Sequence, residues 1–438
     1  MHQQLINRID AREAVVGIIG LGYVGLPLLI TFAREGFAVR GFDLDREKIV
    51  QLEAGDSYIR HILSEDINQF VAGNEQALVT DDFAHAAECD AVLICVPTPL
   101  SEHRDPDLSY ITGTAERLAP HLQRGQCIIL ESTTFPGTTE DELIPILEGN
   151  SGLVAGQDFF VAYSPEREDP NNTNFSTTTI PKVVGGITDE SLAVACSLYD
   201  AVTCETVPVS NCRTAEATKL MENIFRSVNI ALVNELKMVF SAMDIDVWEV
   251  IAAASTKPFG YMPFYPGPGL GGHCIPIDPF YLAWKAKEYG ISTRFIELAG
   301  EVNTSMPQYV VQRTMKALND HRKALNGSRL LLVGLAYKKN VDDYRESPAF
   351  AVWQTFVDHG AQVDYFDPYC DVVKPTREYS RFAGVRCQAF EDIAGNGYDA
   401  AIITTAHDNV DHDALAQQVP LVIDTRNACR KADNVYQS

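Results

Sequence analysis

Hydrophobic residues recur along the chain in two patterns, and the first of them is that of buried strands. Short apolar, β-branched runs separated by helix-length stretches are typical of parallel strands with crossover helices. Such runs occupy residues 14–20, 38–43, 91–96, 127–132 and 159–164, and again 329–337, 362–367, 399–405 and 421–424. A helix is predicted at residues 26–34, directly after the first run. The pattern therefore predicts two separate blocks of alternating strand and helix.

The second pattern fills the middle of the chain. Residues 214 to about 254 carry apolar side chains at i, i+3 and i+4 spacing, which predicts a long amphipathic helix, and residues 295–321 predict another. The expected fold class is α/β: two Rossmann-type, doubly wound parallel-sheet domains joined by long central helices. The expected domains are residues 1–210, 211–325 and 326–438. The apolar faces of the central helices predict a homodimer or a higher homo-oligomer.

Composition narrows the partners. The 438 residues are 46% hydrophobic and 21% charged, which is typical of a globular protein, and the net charge is −24. So acidic a chain repels nucleic acid and anionic membranes, and neither is expected as a partner. No run of about 18 apolar residues occurs, and the charged N-terminal segment lacks the apolar core of a signal peptide. The expected location is the cytoplasm.

Cysteine spacing argues against metal and disulfide frameworks. The ten cysteines form no CxxC pair and show no regular spacing. Most are expected to be free thiols, with Cys89, Cys95, Cys127 and Cys196 as small buried residues. His273 could bind a metal, but no second ligand stands at a metal-binding spacing, so no metal is predicted.

A glycine-rich turn, GLGYVG at residues 20–25, follows the first predicted strand. A GxGxxG alone is weak evidence, but this one opens a predicted helix, and Asp43 ends the next strand 18 residues after Gly25. In a dinucleotide site Gly20 makes the tight turn, Gly22 admits the pyrophosphate and Gly25 allows close packing. An aspartate on the ribose 2′-hydroxyl disfavours a 2′-phosphate, so the predicted cofactor is NAD. Further predicted cofactor contacts are Tyr23, Val24 and Arg46.

Polar residues follow two more strands of the first block, as Pro97-Thr98 and Ser132-Thr133. Ligands of open α/β sheets bind beyond the carboxyl ends of the strands, so these four residues are candidate cofactor contacts. Turns and helix caps use the same residue types, and for each pair alone that alternative is at least as good.

Two more pairs carry candidate acid–base chemistry. Glu166 and Arg167 follow another apolar strand, where Glu166 could act as a general base on water, although by itself the pair favours a solvated ion pair on a surface turn. Lys219 and Asn223 lie one turn apart on the predicted long helix and share a face. Lysines on helices are usually solvated, but a buried ammonium there could stabilise an oxyanion.

Cys274 lies in the most specific motif of the chain, PGPGLGGHCIPID at residues 266–278. Its glycines allow close backbone approach to a phosphate or a sugar, and its prolines stiffen the loop. A thiolate becomes nucleophilic when a helix N-terminus, a histidine or a cation lowers its pKa. A thiol and a hydride acceptor in one chain therefore suggest oxidation through a covalent sulfur adduct.

Cations gather after the strands of the C-terminal block, although the chain as a whole is acidic. They are Lys338, Lys339, Arg345 and Arg426. Such a concentration suits a diphosphate ligand, while ordinary surface ion pairs are a good alternative for Lys339. With only one glycine in its first strand–helix turn, this block looks like a second Rossmann-type unit for a different ligand.

Together these motifs resemble the UDP-glucose/GDP-mannose dehydrogenase family across essentially the whole chain. The resemblance implies oxidation of a nucleotide sugar's C6 hydroxymethyl group to a carboxylate, with two NAD and one water. The motifs stand in the family's order: residues 20–27, 96–99, 132–133 and 164–166, Lys219 with Asn223, residues 271–274 with Asp278, and residues 337–339 with 345–347.

The resemblance also implies roles for single residues. Cys274 attacks the C6 aldehyde to give a thiohemiacetal, and a second oxidation leaves a thioester. Glu166 assists the water that hydrolyses this thioester, while Thr133 and Asp278 orient the water. Lys219 and Asn223 stabilise the oxyanion. Lys338 is implied as a substrate contact, and Arg345 and Arg426 as contacts to cofactor or uridine.

Departures from the UDP-glucose branch point to an N-acetylated sugar. Ile277 stands where that branch often has lysine, and residues 167–172 replace a short glycine turn. The implied substrate is UDP-N-acetylglucosamine, with UDP-N-acetylmannosamine as the close runner-up and UDP-glucose as a further alternative, to supply a uronic acid for surface polysaccharide. Implied substrate contacts are Glu166, Arg167, Lys219, Asn223, Lys257, Phe264, Tyr265, Gly271, Lys338 and Arg426.

Two functions outside this reaction stay open. One is a two-electron hydroxyacid dehydrogenase, which needs no thiol and releases one NADH per substrate. The other is a catalytically silent regulator that binds NAD or a nucleotide sugar.

Overall fold

The computed structural model of the chain describes residues 1–59, 62–101, 105–167, 178–272, 275–376 and 378–438. Its contacts fall into two compact units. The first unit is Met1–Glu222 with Phe280–Ile291, and the second is Asn223–Pro279 with Ser292–Ser438. The divisions after residues 222 and 279 therefore fall inside helices, which span Cys212–Ala242 and Asp278–Glu288. The predicted boundaries at residues 210 and 325 stay a prediction.

The first unit is built on an eight-stranded sheet. Its strands are β1 (Val15–Ile19), β2 (Ala38–Phe42), β3 (Ala77–Thr80), β4 (Ala91–Ile94), β5 (Cys127–Leu130), β6 (Phe160–Tyr163), β7 (Lys182–Gly186) and β8 (Thr206–Val209). The order is β3-β2-β1-β4-β5-β6-β7-β8. Its first six strands follow the 3-2-1-4-5-6 order of a doubly wound sheet, which binds ligands where the order reverses, at β1 and β4.

One strand pair departs from the predicted parallel sheet. Strands β6 and β7 run antiparallel, whereas β7 and β8 are parallel again. The five apolar runs predicted β1, β2, β4, β5 and β6, which are parallel to one another, but did not include β3, β7 or β8. The antiparallel pairing therefore involves a strand that was not predicted.

Helices flank this sheet and bury its two faces. They are α1 (His2–Asp10), α2 (Gly25–Arg34), α3 (Arg46–Glu53), α4 (Ser64–Ile67), α5 (Ser109–Leu118), α6 (Ile144–Ser151) and α7 (Asp189–Asp200). Two clusters of buried apolar residues fill the space between helices and strands. Most of α2 is buried, so the glycine-rich turn before it is held between a core strand and a core helix.

The central helical region contains two helices where the periodicity predicted one. Helix α8 spans Cys212–Ala242 and α9 spans Val247–Ala254. Between them Asp244 has φ of 59°, a left-handed conformation that ends a helix. Asp246 then caps α9, because its carboxylate accepts from the main-chain N–H of Trp248 at 2.9 Å. The apolar spacing continued across this break and hid it.

The remaining elements complete the second unit, apart from the greater part of α10. The helices are α10 (Asp278–Glu288), α11 (Arg294–Asp320), α12 (Pro348–Asp358) and α13 (His412–Gln418). The strands are β9 (Arg329–Val333), β10 (Gln362–Phe366), β11 (Ala400–Ile403), β12 (Val422–Asp424) and β13 (Val435–Gln437). They form an all-parallel sheet in the order β10-β9-β11-β12-β13. The predicted α/β class is confirmed.

Other bulk predictions are partly met. The nine cysteines in the described ranges are free thiols. Cys89 and Cys127 are buried as predicted, but Cys95 and Cys196 are only partly buried. No helix in the described ranges combines the length and the apolar character needed to cross a membrane. The oligomeric state and the cellular location stay predictions.

Candidate active site

The glycine-rich turn has the geometry that a bound pyrophosphate needs. Gly20 has φ of 90°, and a Cβ there would lie 2.7 Å from the main-chain oxygen of Cys95. A Cβ on Gly25 would lie 1.9 Å from the main-chain oxygen of Gly20, so the helix packs on the turn as closely as predicted. By contrast, a Cβ on Gly22 would meet no atom within 4 Å. The open side of the turn is therefore at Gly22, where the pyrophosphate was predicted.

Asp43 stands beside this turn in the next strand–helix connection. Its carboxylate accepts from the N–H of Leu21 at 2.9 Å, from the N–H of Asp45 at 2.9 Å and from Lys48 Nζ at 3.0 Å. A carboxylate offers about four acceptor positions, so one more hydroxyl can bind. The residues present thus fit the adenine ribose of NAD. Arg46, predicted as a further contact, is exposed and pairs with Asp81 at 2.8 Å.

Gly22→Ala is expected to weaken NAD binding about tenfold or more without lowering the Tm. The new methyl group would enter the open space over the turn rather than the core, and it would keep the pyrophosphate from the backbone. Calorimetric titration with NAD and a thermal melt measure the two effects. Gly113→Ala is the matched control, since a Cβ there also meets no atom within 4 Å. An unchanged NAD affinity in Gly22→Ala would contradict the assigned role.

The loops after β4 and β5 are bonded to each other, as their predicted position at one sheet edge requires. Thr98 Oγ1 donates to the main-chain oxygen of Thr133 at 2.7 Å. Ser132 Oγ donates to the main-chain oxygen of Val96 at 2.7 Å. The hydroxyls of Thr98 and Ser132 therefore fix the two loops against each other. Pro97, in the loop after β4, is exposed. Their contacts to a cofactor stay predictions.

The Glu166 loop is anchored to α8 and is not the solvated surface turn that its sequence alone favours. Lys219 is buried, and its ammonium donates to the main-chain oxygen of Glu166. Arg167 donates to the main-chain oxygen of Pro181 at 2.7 Å and to Glu222 on α8 at 2.6 Å. The predicted base and the predicted oxyanion cation therefore lie side by side. Residues 168–172, which carry part of the departure from the UDP-glucose branch, lie outside the described residues.

A buried charge cluster behind Glu166 was missed by the sequence reasoning. Lys182 Nζ lies 2.7 Å from Glu131 Oε2 and 3.6 Å from Glu166 Oε2. Tyr199 donates to the other oxygen of Glu131. Although burial opposes the charged form of Lys182, the two carboxylates raise its pKa to about 12. Burial likewise raises the pKa of Glu131, against the effect of Lys182. Lys182 therefore stays cationic between the two carboxylates.

No sequence signal pairs these residues. Glu131 and Lys182 are 51 positions apart; Glu131 directly follows β5, and Lys182 is the first residue of β7. A charge directly beside a buried strand was the one available sign of an unusual environment. The direction of β7, which brings Lys182 to Glu131, was not predictable from apolar runs.

Asn223 and Asp278 form the polar centre of the second unit. Both are buried, and Asn223 Nδ2 donates to Asp278 Oδ2 at 2.5 Å. Asn223 lies one turn after Lys219 in α8, and Asp278 is the first residue of α10. A buried carboxylate at a helix N-terminus is stabilised by the helix dipole. Cys274 and His273 themselves lie outside the described residues.

The glycines before Cys274 pack against protein groups. A Cβ on Gly267 would lie 2.4 Å from the guanidinium of Arg426. A Cβ on Gly271 would lie 2.7 Å from Tyr337 Cβ and 2.9 Å from Pro348 Cδ. These glycines let the loop pack against the segments that follow strands of the five-stranded sheet, at Tyr337, Pro348 and Arg426. The predicted approach of Gly271 to a phosphate or sugar stays a prediction.

The C-terminal cations have different surroundings. Arg426 donates to the main-chain oxygen of Thr404 at 2.8 Å, and burial lowers its pKa to about 10. Arg345 makes a bidentate pair with Asp343, at 2.8 and 2.6 Å. Lys339 pairs with Asp408 at 3.1 Å on the surface, which is the alternative reading given for it. Lys338 is partly buried. A partly buried Arg426 suits recognition of an anion better than an exposed Lys339 does.

The remaining predicted substrate contacts lie in the segment after α9. Lys257 is exposed, with its ammonium 5.1 Å from the ring centre of Phe259. Phe264 makes an edge contact with Phe225, at 5.6 Å between ring centres. Tyr265 stacks on Trp248 at 6.0 Å and remains 57% exposed. Their roles in substrate binding stay predictions.

Comparison with known proteins shows the family. Residues 14–203 match the NAD binding domain of the UDP-glucose/GDP-mannose dehydrogenase family, residues 213–305 its central domain, and residues 331–431 its UDP binding domain. The chain belongs to this family. It is an NAD-dependent oxidoreductase that acts on nucleotide sugars, and the predicted cofactor NAD and the resemblance stated from the motifs are confirmed.

Relatives with different sugars are about equally similar. A UDP-N-acetyl-D-glucosamine 6-dehydrogenase of Pseudomonas aeruginosa is 36% identical over 397 residues, which is 90% of this chain and 91% of the relative. A UDP-N-acetyl-D-mannosamine dehydrogenase of Pyrococcus horikoshii is 33% identical over 425 residues, 95% of this chain and 96% of the relative. The solved structure of a UDP-D-ManNAc dehydrogenase from Pyrococcus horikoshii has a TM-score of 0.86 at 32% identity and covers 95% of this chain and 96% of its own. These figures do not separate the sugars.

Proposed function

We propose that the protein oxidises the C6 hydroxymethyl group of UDP-N-acetylglucosamine to a carboxylate, through a thioester on Cys274. The observation that carries the proposal is the contact between Lys219 and Glu166. It ties a buried cation, suited to an oxyanion, to the main chain of the residue whose carboxylate is suited to activating water. A dehydrogenase that stops at an aldehyde or ketone needs no such pair. Hydrolysis of an acyl intermediate does need it.

The thiol of Cys274 supplies the covalent step. NAD, when bound through the turn at Gly22, accepts a hydride in each of two oxidations. Between them, the sulfur of Cys274 adds to the aldehyde carbon and its proton passes to the oxygen, which gives a thiohemiacetal. The second oxidation leaves a thioester. Because the aldehyde is held as a sulfur adduct, it does not escape before the second oxidation.

Hydrolysis of the thioester releases the uronate. Glu166 takes a proton from water, the water oxygen bonds to the acyl carbon, and the sulfur leaves and is reprotonated. Lys219 and Asn223 stabilise the negative oxygen that forms in between. Thr133 and Asp278 orient the water. Lys182 Nζ lies 3.6 Å from Glu166 Oε2 and so holds this carboxylate in place.

Two parts of the chain supply the ligand sites in this proposal. Residues 1–210 bind NAD, residues 326–438 bind the UDP group, and residues 211–325 carry the thiol and the oxyanion contacts. The matched NAD binding and UDP binding domains support this division. Arg426 is the best candidate for a contact to the nucleotide, because its guanidinium is partly buried and its hydrogen bond in the described residues is to the main-chain oxygen of Thr404.

The proposed sugar rests on the residues 257–266 and 273–279, which look most like the UDP-N-acetylglucosamine branch. The relatives named for UDP-N-acetyl-D-glucosamine and UDP-N-acetyl-D-mannosamine are 36% and 33% identical, which does not choose between them. UDP-N-acetylmannosamine is the second candidate substrate. The two sugars differ at C2 by one axial or equatorial group, which only a few contacts distinguish.

The test is NADH production over a panel of UDP-N-acetylglucosamine, UDP-N-acetylmannosamine, UDP-glucose and GDP-mannose. We expect the highest kcat/KM with UDP-N-acetylglucosamine and two NADH per sugar consumed. One NADH per sugar would contradict the four-electron reaction and favour a two-electron dehydrogenase. Activity confined to UDP-glucose would overturn the assigned sugar. Binding of NAD and UDP-sugars without any NADH would identify a silent regulator.

A further inference from the structure

A cavity of about 320 Å³ lies in the second unit, beside the C-terminal half of α8. Its walls come from α8, α11, the turn before α9 and the chain after β12. The residues that matter for its chemistry are Lys237, Tyr309, Arg313, Lys431, Gln437 and Ser438. None of the residues predicted to bind substrate or NAD is among its described lining residues. The cavity is therefore lined by residues other than those proposed to bind the substrate or NAD.

Three buried polar atoms around this cavity have no hydrogen-bond partner in the described part of the chain. They are Lys237 Nζ, Gln437 Oε1 and Ser438 Oγ. Lys237 is only 4% exposed, and its ammonium lies 5.9 Å from the ring centre of Tyr309. A buried ammonium without a partner is costly, since neither water nor a carboxylate replaces its hydration. Such a group signals a missing ligand.

The surroundings of Lys237 make the need for an anion greater. Arg313 lies one turn after Tyr309 in α11 and donates to the main-chain oxygen of Gln437 at 3.1 Å. Burial is the main reason that the pKa of Lys237 is lowered to about 7; Arg426 and Arg313 act in the same direction, and Asp424 opposes them. Two acids of the described chain line the cavity, Asp244 and Asp246, and Asp246 is paired with Lys431 at 2.6 Å.

The polar atoms are held in place by the end of the second sheet. Strand β13 pairs with β12, and the N–H of Ser438 donates to the main-chain oxygen of Asp424 at 2.9 Å. The amide nitrogen of Gln437 donates to Asn427 at 3.0 Å, so its amide oxygen is left facing the buried side. The cavity thus offers an ammonium, a guanidinium, a hydroxyl and one amide acceptor at fixed positions.

We propose that this cavity is a binding site for the phosphate group of a small metabolite, held between Lys237 and Arg313. A tetrahedral phosphate accepts from the ammonium, the guanidinium and the Ser438 hydroxyl at once. Its monoprotonated form also donates to the amide oxygen of Gln437, which a carboxylate cannot do. The volume of about 320 Å³ exceeds what inorganic phosphate fills, so a phosphate monoester of a small polar molecule is the expected class.

The experiment is calorimetric titration of the full-length protein with inorganic phosphate and, separately, with glucose 6-phosphate. Saturating UDP is present throughout, so that any diphosphate site of the substrate is filled. We expect both probes to bind the unmodified protein, and Lys237→Met to weaken each about tenfold or more, because a charge-assisted hydrogen bond is lost. Tighter binding of glucose 6-phosphate than of phosphate would identify the monoester as the source.

Two controls keep the result interpretable. Lys316→Met removes an exposed lysine of α11, the helix that carries Arg313, and should leave binding unchanged. The Tm of Lys237→Met should equal or exceed that of the unmodified protein, since the substitution removes a buried charge without a partner. Lys237→Gln is a second variant for the same binding measurement. The proposal would be overturned if neither probe bound the unmodified protein. It would also be overturned if Lys237→Met and Lys237→Gln bound the probes as tightly as the unmodified protein does.

Discussion

Replacement of Cys274 by serine should abolish uronate formation, with kcat lowered on the order of 10³-fold or more. A serine hydroxyl is a weak nucleophile at its ordinary pKa, and the proposed site has no base assigned to activate it. An oxygen ester would also be a poorer acyl donor than a thioester. The loss should exceed that of any other single substitution, because both the capture of the aldehyde and the acyl transfer depend on the sulfur atom.

The measurement is uronate release by chromatography together with NADH absorbance. Cys204→Ser is the matched control, because Cys204 is an exposed free thiol and should be dispensable. Binding of NAD and UDP should persist in Cys274→Ser, which would show that the fold survives. Uronate production at the unmodified rate in Cys274→Ser would refute the covalent route.

Replacement of Glu166 by glutamine should have the next largest effect, and on a different step. A general base contributes about 10²–10⁴-fold to a rate, so hydrolysis of the thioester should slow at least about 100-fold. The two oxidations do not require this carboxylate. The variant should therefore release close to two NADH per active site in a rapid burst and then turn over slowly.

Stopped-flow absorbance at high enzyme concentration measures that burst. Glu116→Gln is the control, because it changes an exposed carboxylate of α5 in the same unit. It should turn over at the unmodified rate, without a burst followed by a slow phase. The amide of Glu166→Gln keeps the size of the side chain but loses its charge beside Lys182. Steady turnover at the unmodified rate would show that another group activates the water.

Much of the fold followed from local patterns. The glycine-rich turn sits between β1 and α2 as predicted, because its residues must satisfy backbone constraints that are visible in the sequence: positive φ at Gly20 and the close approach at Gly25. Asp43 follows β2 for the same reason of local spacing. Apolar runs likewise placed the long helices and most strands to within a few residues.

What failed depended on contacts between distant segments. The reversed direction of β7 and the pairing of Lys182 with Glu131 arise from how residues 51 positions apart meet. The break at Asp244 was hidden because apolar spacing continues into α9. In the candidate site, residue types and order predicted Lys219 and Glu166, but not that a main-chain oxygen would join them.

The glycines before Cys274 show a further limit of reading function from residue type. Glycine permits any close approach, and the sequence does not state what approaches. At Gly267 and Gly271 the neighbours are Arg426 and Tyr337, so packing within the protein explains the glycines.

The most direct test of the account is the mass of the enzyme itself. Glu166→Gln should be mixed with excess NAD and UDP-N-acetylglucosamine, quenched in acid within the burst, digested and analysed by mass spectrometry. The account predicts the peptide containing Cys274 with the mass of an acyl adduct of the oxidised sugar, on that cysteine alone. An unmodified Cys274 peptide after a full two-NADH burst would contradict it.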